Sequence, residues 1–82
     1  MIISKIQVQK KHQLRIFSED GRVGVFDVSP YLNSEAFLEL NNVDSFVKIN
    51  NGKYFVEWDC GADLSADTIE SEWCVSQGLA ED

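Results

Sequence analysis

Between Phe46 and Ile69 the apolar residues switch from a spacing of two to a spacing of three to four, and that switch leaves few folds open. Phe46, Val47 and Ile49 precede Asn50-Asn51-Gly52, and Tyr54, Val56 and Trp58 follow it. A two-residue type I′ turn at Asn51-Gly52 pairs Asn50 with Lys53, Ile49 with Tyr54 and Val47 with Val56. Val47, Ile49, Tyr54, Val56 and Trp58 then share an inner face, while Lys48, Phe55 and Glu57 point outward. After Trp58 comes a polar turn, Asp59-Cys60-Gly61-Ala62-Asp63, and then the start of a helix. Ser65 is its N-cap, Leu64 and Ile69 hold the positions of a hydrophobic staple, and Asp67 and Glu70 put negative charge where the helix dipole favours it. Ile69 and Trp73, four apart, share one helix face.

The preceding residues read as further strands. Ile2, Ile6 and Val8 alternate with Ile3, Lys5 and Gln7; Leu14 and Ile16 alternate with Arg15 and Phe17; Val23, Val25 and Phe26 form a third β-rich run. Lys10-Lys11-His12 breaks the first pair, and Glu19-Asp20-Gly21 supplies a tight hairpin turn for the second. Ser29 can cap a helix and Pro30 suits its first position. Ser34 offers a second cap, Phe37 and Leu40 lie at i, i+3 facing the sheet, and Asn41-Asn42 ends the segment in left-handed backbone. A short or broken helix is therefore expected over residues 30–41. The resulting order, βββ-α-ββ-α, is an α+β domain: a mainly antiparallel sheet of about five strands with the helices on one face. With 82 residues there is room for one domain, residues 1–82, with its ordered core over residues 2–74 and a frayed tail over residues 78–82.

Fourteen acidic residues against seven basic ones give a formal net charge of −7, which opposes the phosphate backbone of nucleic acid and anionic membrane surfaces. Five of the seven basic residues, Lys5, Lys10, Lys11, Arg15 and Arg22, fall in the first 22 positions and read as a solvated face. No stretch is long and apolar enough to span a bilayer and no secretory leader opens the chain, so a cytoplasmic protein is expected. Cys60 and Cys74 are then free thiols without a disulfide, and two cysteines alone cannot close a zinc site.

Asp59, Asp63, Asp67 and Glu70 fall at positions 1, 5, 9 and 12 of a calcium-loop count. The count fails where that loop is strictest: Leu64 stands at the obligatory glycine, and Gly61 stands at a ligand position. His12, the single histidine, lies in an exposed turn without a nucleophile beside it. Cys60 precedes a helix, but Asp59 and Asp63 oppose its thiolate. Neither a catalytic set nor a cofactor site emerges, and the chain does not read as an enzyme. Trp58 and Trp73 sit at core spacings, whereas Phe17 and Phe55 point away from the main core, which either a covering helix or an exposed interface patch would explain. Phe17, Phe55, Trp58, Asp59, Cys60, Asp63 and Trp73 form the candidate surface. The first reading is a non-enzymatic interaction module that binds a protein partner or a second copy of itself. The second is a small-molecule sensor using the turn at residues 58–63 together with Trp73.

Glu19-Asp20-Gly21, Asp27-Val28-Ser29-Pro30-Tyr31-Leu32, Phe37-Leu38-Glu39-Leu40, Phe46-Val47-Lys48-Ile49, and Trp58 ahead of Gly61-Ala62-Asp63-Leu64-Ser65-Ala66-Asp67-Thr68-Ile69 together resemble domain-of-unknown-function family 2442. The resemblance covers residues 3–69, and its specific part is the segment from Trp58 to Ser65. It implies a small bacterial α+β domain, standing alone or ahead of a helix-turn-helix domain, and carries over no enzymatic activity. For some members it implies a neighbouring gene for a second small protein, in a toxin–antitoxin-like arrangement. Asp59-Cys60 stand where Pro-Asn is frequent, so the resemblance assigns these two residues no role. No DNA-reading segment is included, so it carries over no DNA binding.

Overall fold

A single extra residue in the first strand decides which side chains begin the core. The computed structural model of the chain describes residues 1–75; the tail expected to fray, residues 78–82, lies outside them. Strand β1 (Ile3–Gln9) pairs antiparallel with β2 (Gln13–Ser18), and the register shifts between Ile3 and Lys5. This bulge sets Ile3, Ile6 and Val8 opposite Ser18, Ile16 and Leu14, all on one face. Without it Ile3 would point outward with Lys5 and Gln7, as simple alternation expects; instead Ile3 is fully buried. β2 pairs with β3 (Val23–Asp27), and β3 pairs with a two-residue strand, β7 (Cys74–Val75), giving the order β1-β2-β3-β7. The Asp20-Gly21 turn forms as read, with Gly21 at φ +97.

A second antiparallel sheet holds β4 (Ile49–Asn51), β5 (Phe55–Trp58) and β6 (Asp63–Ser65) in that order. Its first hairpin corrects the expected register: Ile49 pairs with Trp58, Asn50 with Glu57 and Asn51 with Val56. Asn51 is occupied elsewhere. Its Oδ1 accepts the Lys53 amide at 2.8 Å and its Nδ2 donates to the Ile3 carbonyl at 3.0 Å. Lys53 takes the left-handed backbone (φ 72) in place of an Asn-Gly pair. Gly52 is needed for room, because a Cβ there would stand 2.4 Å from the Phe55 ring. The slip is even, so Val56 and Trp58 stay inside and Phe55 and Glu57 outside. Val47 and Tyr54, expected inside, are exposed.

The chain is thus α+β with antiparallel sheets, but its described residues form seven strands in two sheets rather than about five in one. β6 and β7 are too short for alternation to announce them. Two bonds join the sheets through the same junction, Ile3 N–H to the Lys53 carbonyl at 2.8 Å and Asn51 Nδ2 to the Ile3 carbonyl.

The expected helix over residues 30–41 is broken into two 3-10 segments, Ser29–Tyr31 and Glu35–Asn41. Asp27 rather than Ser29 satisfies the entry, its Oδ1 accepting the Ser29 amide at 2.9 Å. Ser34 caps by position without a side-chain bond. In a 3-10 segment, residues three apart eclipse, and Phe37 and Leu40 are both buried. Asn42 is extended rather than left-handed, and its side chain accepts the Asp44 amide to start a further short helix, α1 (Val43–Phe46). Phe46 therefore reaches the core from a helix, where alternation suggests a strand.

Helix α2 (Ala66–Glu72) starts as read: the Ser65 hydroxyl accepts the Thr68 amide at 3.1 Å, and Leu64 and Ile69 are buried. It lies against β5 and β6. Beyond it, Trp73 packs on Gly24 of β3, where an added Cβ would lie 2.6 Å from the indole. Arg22 fixes this corner, bonding Glu70 at 2.8 Å and Asp20 at 2.9 Å while its guanidinium lies 5.7 Å from the Trp73 ring. The Met1 amino group and Arg22 hold the Glu70 carboxyl below its ordinary value.

Gly24→Ala is expected to cost about 1–3 kcal/mol in urea unfolding, since the indole must shift to admit the methyl. Because Glu70 has a depressed pKa, its contribution is complete above the ordinary value of 4.5 and fades as pH falls below it. Arg22→Ala should therefore flatten the fall in urea midpoint below that pH.

Candidate functional site

The turn after Trp58 is built by backbone. The Trp58 carbonyl accepts the Gly61 amide at 2.9 Å, the Trp58 amide donates to the Ala62 carbonyl at 2.8 Å, and Gly61 takes φ +100, which a side chain would oppose. Asp59 and Cys60 are left exposed at the tip. The Asp59 amide donates to the Lys48 carbonyl at 3.0 Å, and Asn50 Nδ2 donates to Asp59 Oδ1 at 3.0 Å, so the aspartate is oriented by β4 and its approach. Beside it lies a polar cleft of about 140 Å³, lined by Glu39, Ser45, Lys48, Asp59 and Cys60. The Ser45 hydroxyl donates to Glu39 Oε2 at 3.1 Å. No histidine borders Cys60 there. Among the described residues no group of three or more His, Cys, Asp or Glu could hold a metal ion.

The seven residues singled out in sequence do not converge. Asp59 and Cys60 share the cleft. Trp58 is 1% exposed, its indole Nε1–H donating to the Phe46 carbonyl at 2.9 Å. Trp73 is buried against Gly24 and Arg22. Asp63 opens β6 directly opposite Glu57, an exposed like-charge pair. Phe55 is 41% exposed above Gly52, next to the more exposed Tyr54. Phe17 lies on the outer face of the four-stranded sheet, half-buried beneath Lys5, whose Nζ is 5.3 Å from the ring centroid. Cys60 and Cys74 are both free and exposed.

His12 is placed differently from its reading in the sequence. Rather than standing free in its turn, its Nε2–H donates to the Leu40 carbonyl at 2.8 Å and its ring meets Phe46 edge-on at 4.8 Å. Lys11 and His12 both adopt left-handed backbone, φ 60 and 58. The His12 carbonyl accepts the Val28 amide at 2.9 Å, which fixes the tip from a second side. Between this tip and α1 runs a groove of about 300 Å³ lined by Val8, Gln9, Lys10, Lys11, His12, Val43 and Phe46. Its walls are more than thirty residues apart in sequence, so no local pattern announces it. His12→Asn, which suits the left-handed backbone but lacks the ring, is expected to lower stability by about 1–2 kcal/mol in chemical denaturation.

No helix among the described residues is long and apolar enough to cross a membrane. Comparison with curated proteins and with solved structures gives no match. Residues 3–73 match the family described as "Protein of unknown function (DUF2442)". That match takes in the three-stranded sheet, β1 to β3 of the four-stranded one, α1, α2 and the turn after Trp58, and the chain belongs to this family.

Proposed function

We propose that the chain is a non-enzymatic cytoplasmic module whose work is to bind a protein partner, either the product of a neighbouring gene or a second copy of itself. The observation that carries this reading is the set of large apolar side chains left in solvent around a closed core: Leu38, Val43, Val47, Tyr54 and Phe55, each between 41% and 66% exposed. Single exposed apolar residues are ordinary on any protein surface, and grouping is what marks an interface. Val43 and Val47 are four apart, at α1 and its C-cap, and Leu38 belongs to the 3-10 segment packed against α1. The two-gene arrangement implied by the family resemblance gives a source for the partner. Cys60 without a base, and His12 with its Nε2 engaged by a carbonyl, support a binding rather than a catalytic role.

The sensor reading at residues 58–63 has less support. The indole that would report or stack on a ligand is enclosed, and the cleft beside Asp59 is about 140 Å³, below the range of about 300–1,000 Å³ usual for small-molecule sites.

Co-expression with the product of the adjacent gene, followed by sedimentation of the purified chain with and without it, tests the proposal. A stable complex or a dimer is expected, weakened at least about tenfold by Val43→Glu with Val47→Lys. These substitutions are chosen so that each charge agrees with the dipole of α1. A strictly monomeric chain that forms no complex, or a complex indifferent to both substitutions, would sink this reading of the surface.

A further inference from the structure

We propose that the groove between the β1–β2 hairpin tip and α1 is the docking site, and that it takes from the partner protein a large apolar side chain flanked by carboxylates. The inference rests on the protein-binding reading above and adds the place and the chemistry. Val8, Val43 and Phe46 give the groove apolar walls. Its volume of about 300 Å³ is the share of liquid of about ten waters. Releasing water from such walls to an apolar side chain is favourable. The charged residues lining it are Lys10 and Lys11, with no acidic residue among the lining.

The chain carries 14 acidic residues, yet none of them lines this groove. Among the described residues Asp20 and Glu70 pair with Arg22, and Glu70 also with the Met1 amino group; Lys10 and Lys11, like Lys5, Arg15, Lys48 and Lys53, have no carboxylate within ion-pairing distance, and what sets Lys10 and Lys11 apart is their place beside an apolar groove. The rim is also held in place before anything binds. Lys11 and His12 keep left-handed backbone, the Ser29 hydroxyl donates to the Lys11 carbonyl at 3.4 Å, the Val28 amide to the His12 carbonyl, and the His12 ring to the Leu40 carbonyl. A rim already ordered loses little freedom on binding. The net charge of −7 repels an acidic segment at long range, but charges beyond roughly 8 Å are largely screened at physiological salt and the two rim lysines act within that distance.

The test titrates the full-length ¹⁵N-labelled chain with a short synthetic peptide carrying a Leu-Phe pair between runs of Glu. Two control peptides replace the Glu residues by Lys, or the Leu-Phe pair by Ala-Ala. Saturable amide shifts at Lys11, His12, Val43 and Phe46 are expected with the first peptide. Either control, or the variant Lys10→Glu with Lys11→Glu, should weaken binding at least about tenfold, and so should added salt. Lys10→Ala with Lys11→Gly repeats the charge removal with a residue suited to left-handed backbone. Equal binding of the acidic and basic peptides, shifts confined to another surface, or no saturable shift overturns the proposal. A complex with the neighbouring gene product that survives both lysine variants overturns this placement while leaving the protein-binding reading intact. Groove binding by the peptide in a chain that forms no protein complex does the reverse.

Discussion

The structure depends most on one buried contact, that of Trp58 with Phe46. The indole stacks on the Phe46 ring at 5.9 Å and donates its N–H to the Phe46 carbonyl, so one residue receives both the apolar and the polar half of the tryptophan. Phe37 closes the indole from another side at 6.1 Å. Phe46 in turn meets the edge of His12, which bonds Leu40. Through this chain of contacts the second sheet, α1, the 3-10 segments and the β1–β2 hairpin share one core. In a chain this small, which buries only about 60% of its unfolded surface, a central residue serving four elements leaves little redundancy.

The second constraint is the junction of the two sheets. Ile3 donates to Lys53 and accepts from Asn51, and it can do so with its side chain inward because the bulge before Lys5 turns it over. The same asparagine that joins the sheets orients the next turn through Lys53, which is why the β4–β5 hairpin opens wider than its Asn-Gly pair suggests. Tyr54, inward in the expected register, is left in solvent by that wider turn, beside a Phe55 that faces outward in either register. Thus the residues that make the surface distinctive follow from how the interior is tied.

Acidic and basic side chains are spread unevenly over the two sheets. Asp59, Glu57 and Asp63 gather around the second sheet, whereas Lys5 and Arg15 stand on the outer face of the first and Lys10 and Lys11 mark its hairpin tip. Neither grouping is pure: Lys48 lines the cleft beside Asp59, Lys53 lies in the β4–β5 turn, and Asp20 pairs with Arg22 at the β2–β3 turn. The crowding of basic residues near the start of the sequence thus becomes a cluster on the first hairpin without separating the charges of the molecule as a whole.

Sequence by itself determined the features that depend on near neighbours. The Asp20-Gly21 turn, the Ser65 cap with its Leu64 and Ile69 staple, the inward Val56 and Trp58, the outward Phe55 and Glu57, and the α+β class with antiparallel strands all follow from spacing and local hydrogen bonding. Tertiary structure decided the rest, for reasons found in distant partners. Asn51 was drawn from its turn by Ile3, Phe46 was placed on a helix by the Asn42 cap and the Trp58 indole, and Cys74–Val75 became a strand because β3 offered an edge. His12 exchanged an exposed turn for a bond to Leu40, 28 residues away. The groove beside it has the same origin: one wall comes from the first hairpin and the other from α1, and only their packing brings two lysines, two valines and a phenylalanine together. Residues 58–63, the stretch with the most distinctive sequence, proved to be a backbone-built hairpin turn that returns the chain to β6 before α2 begins.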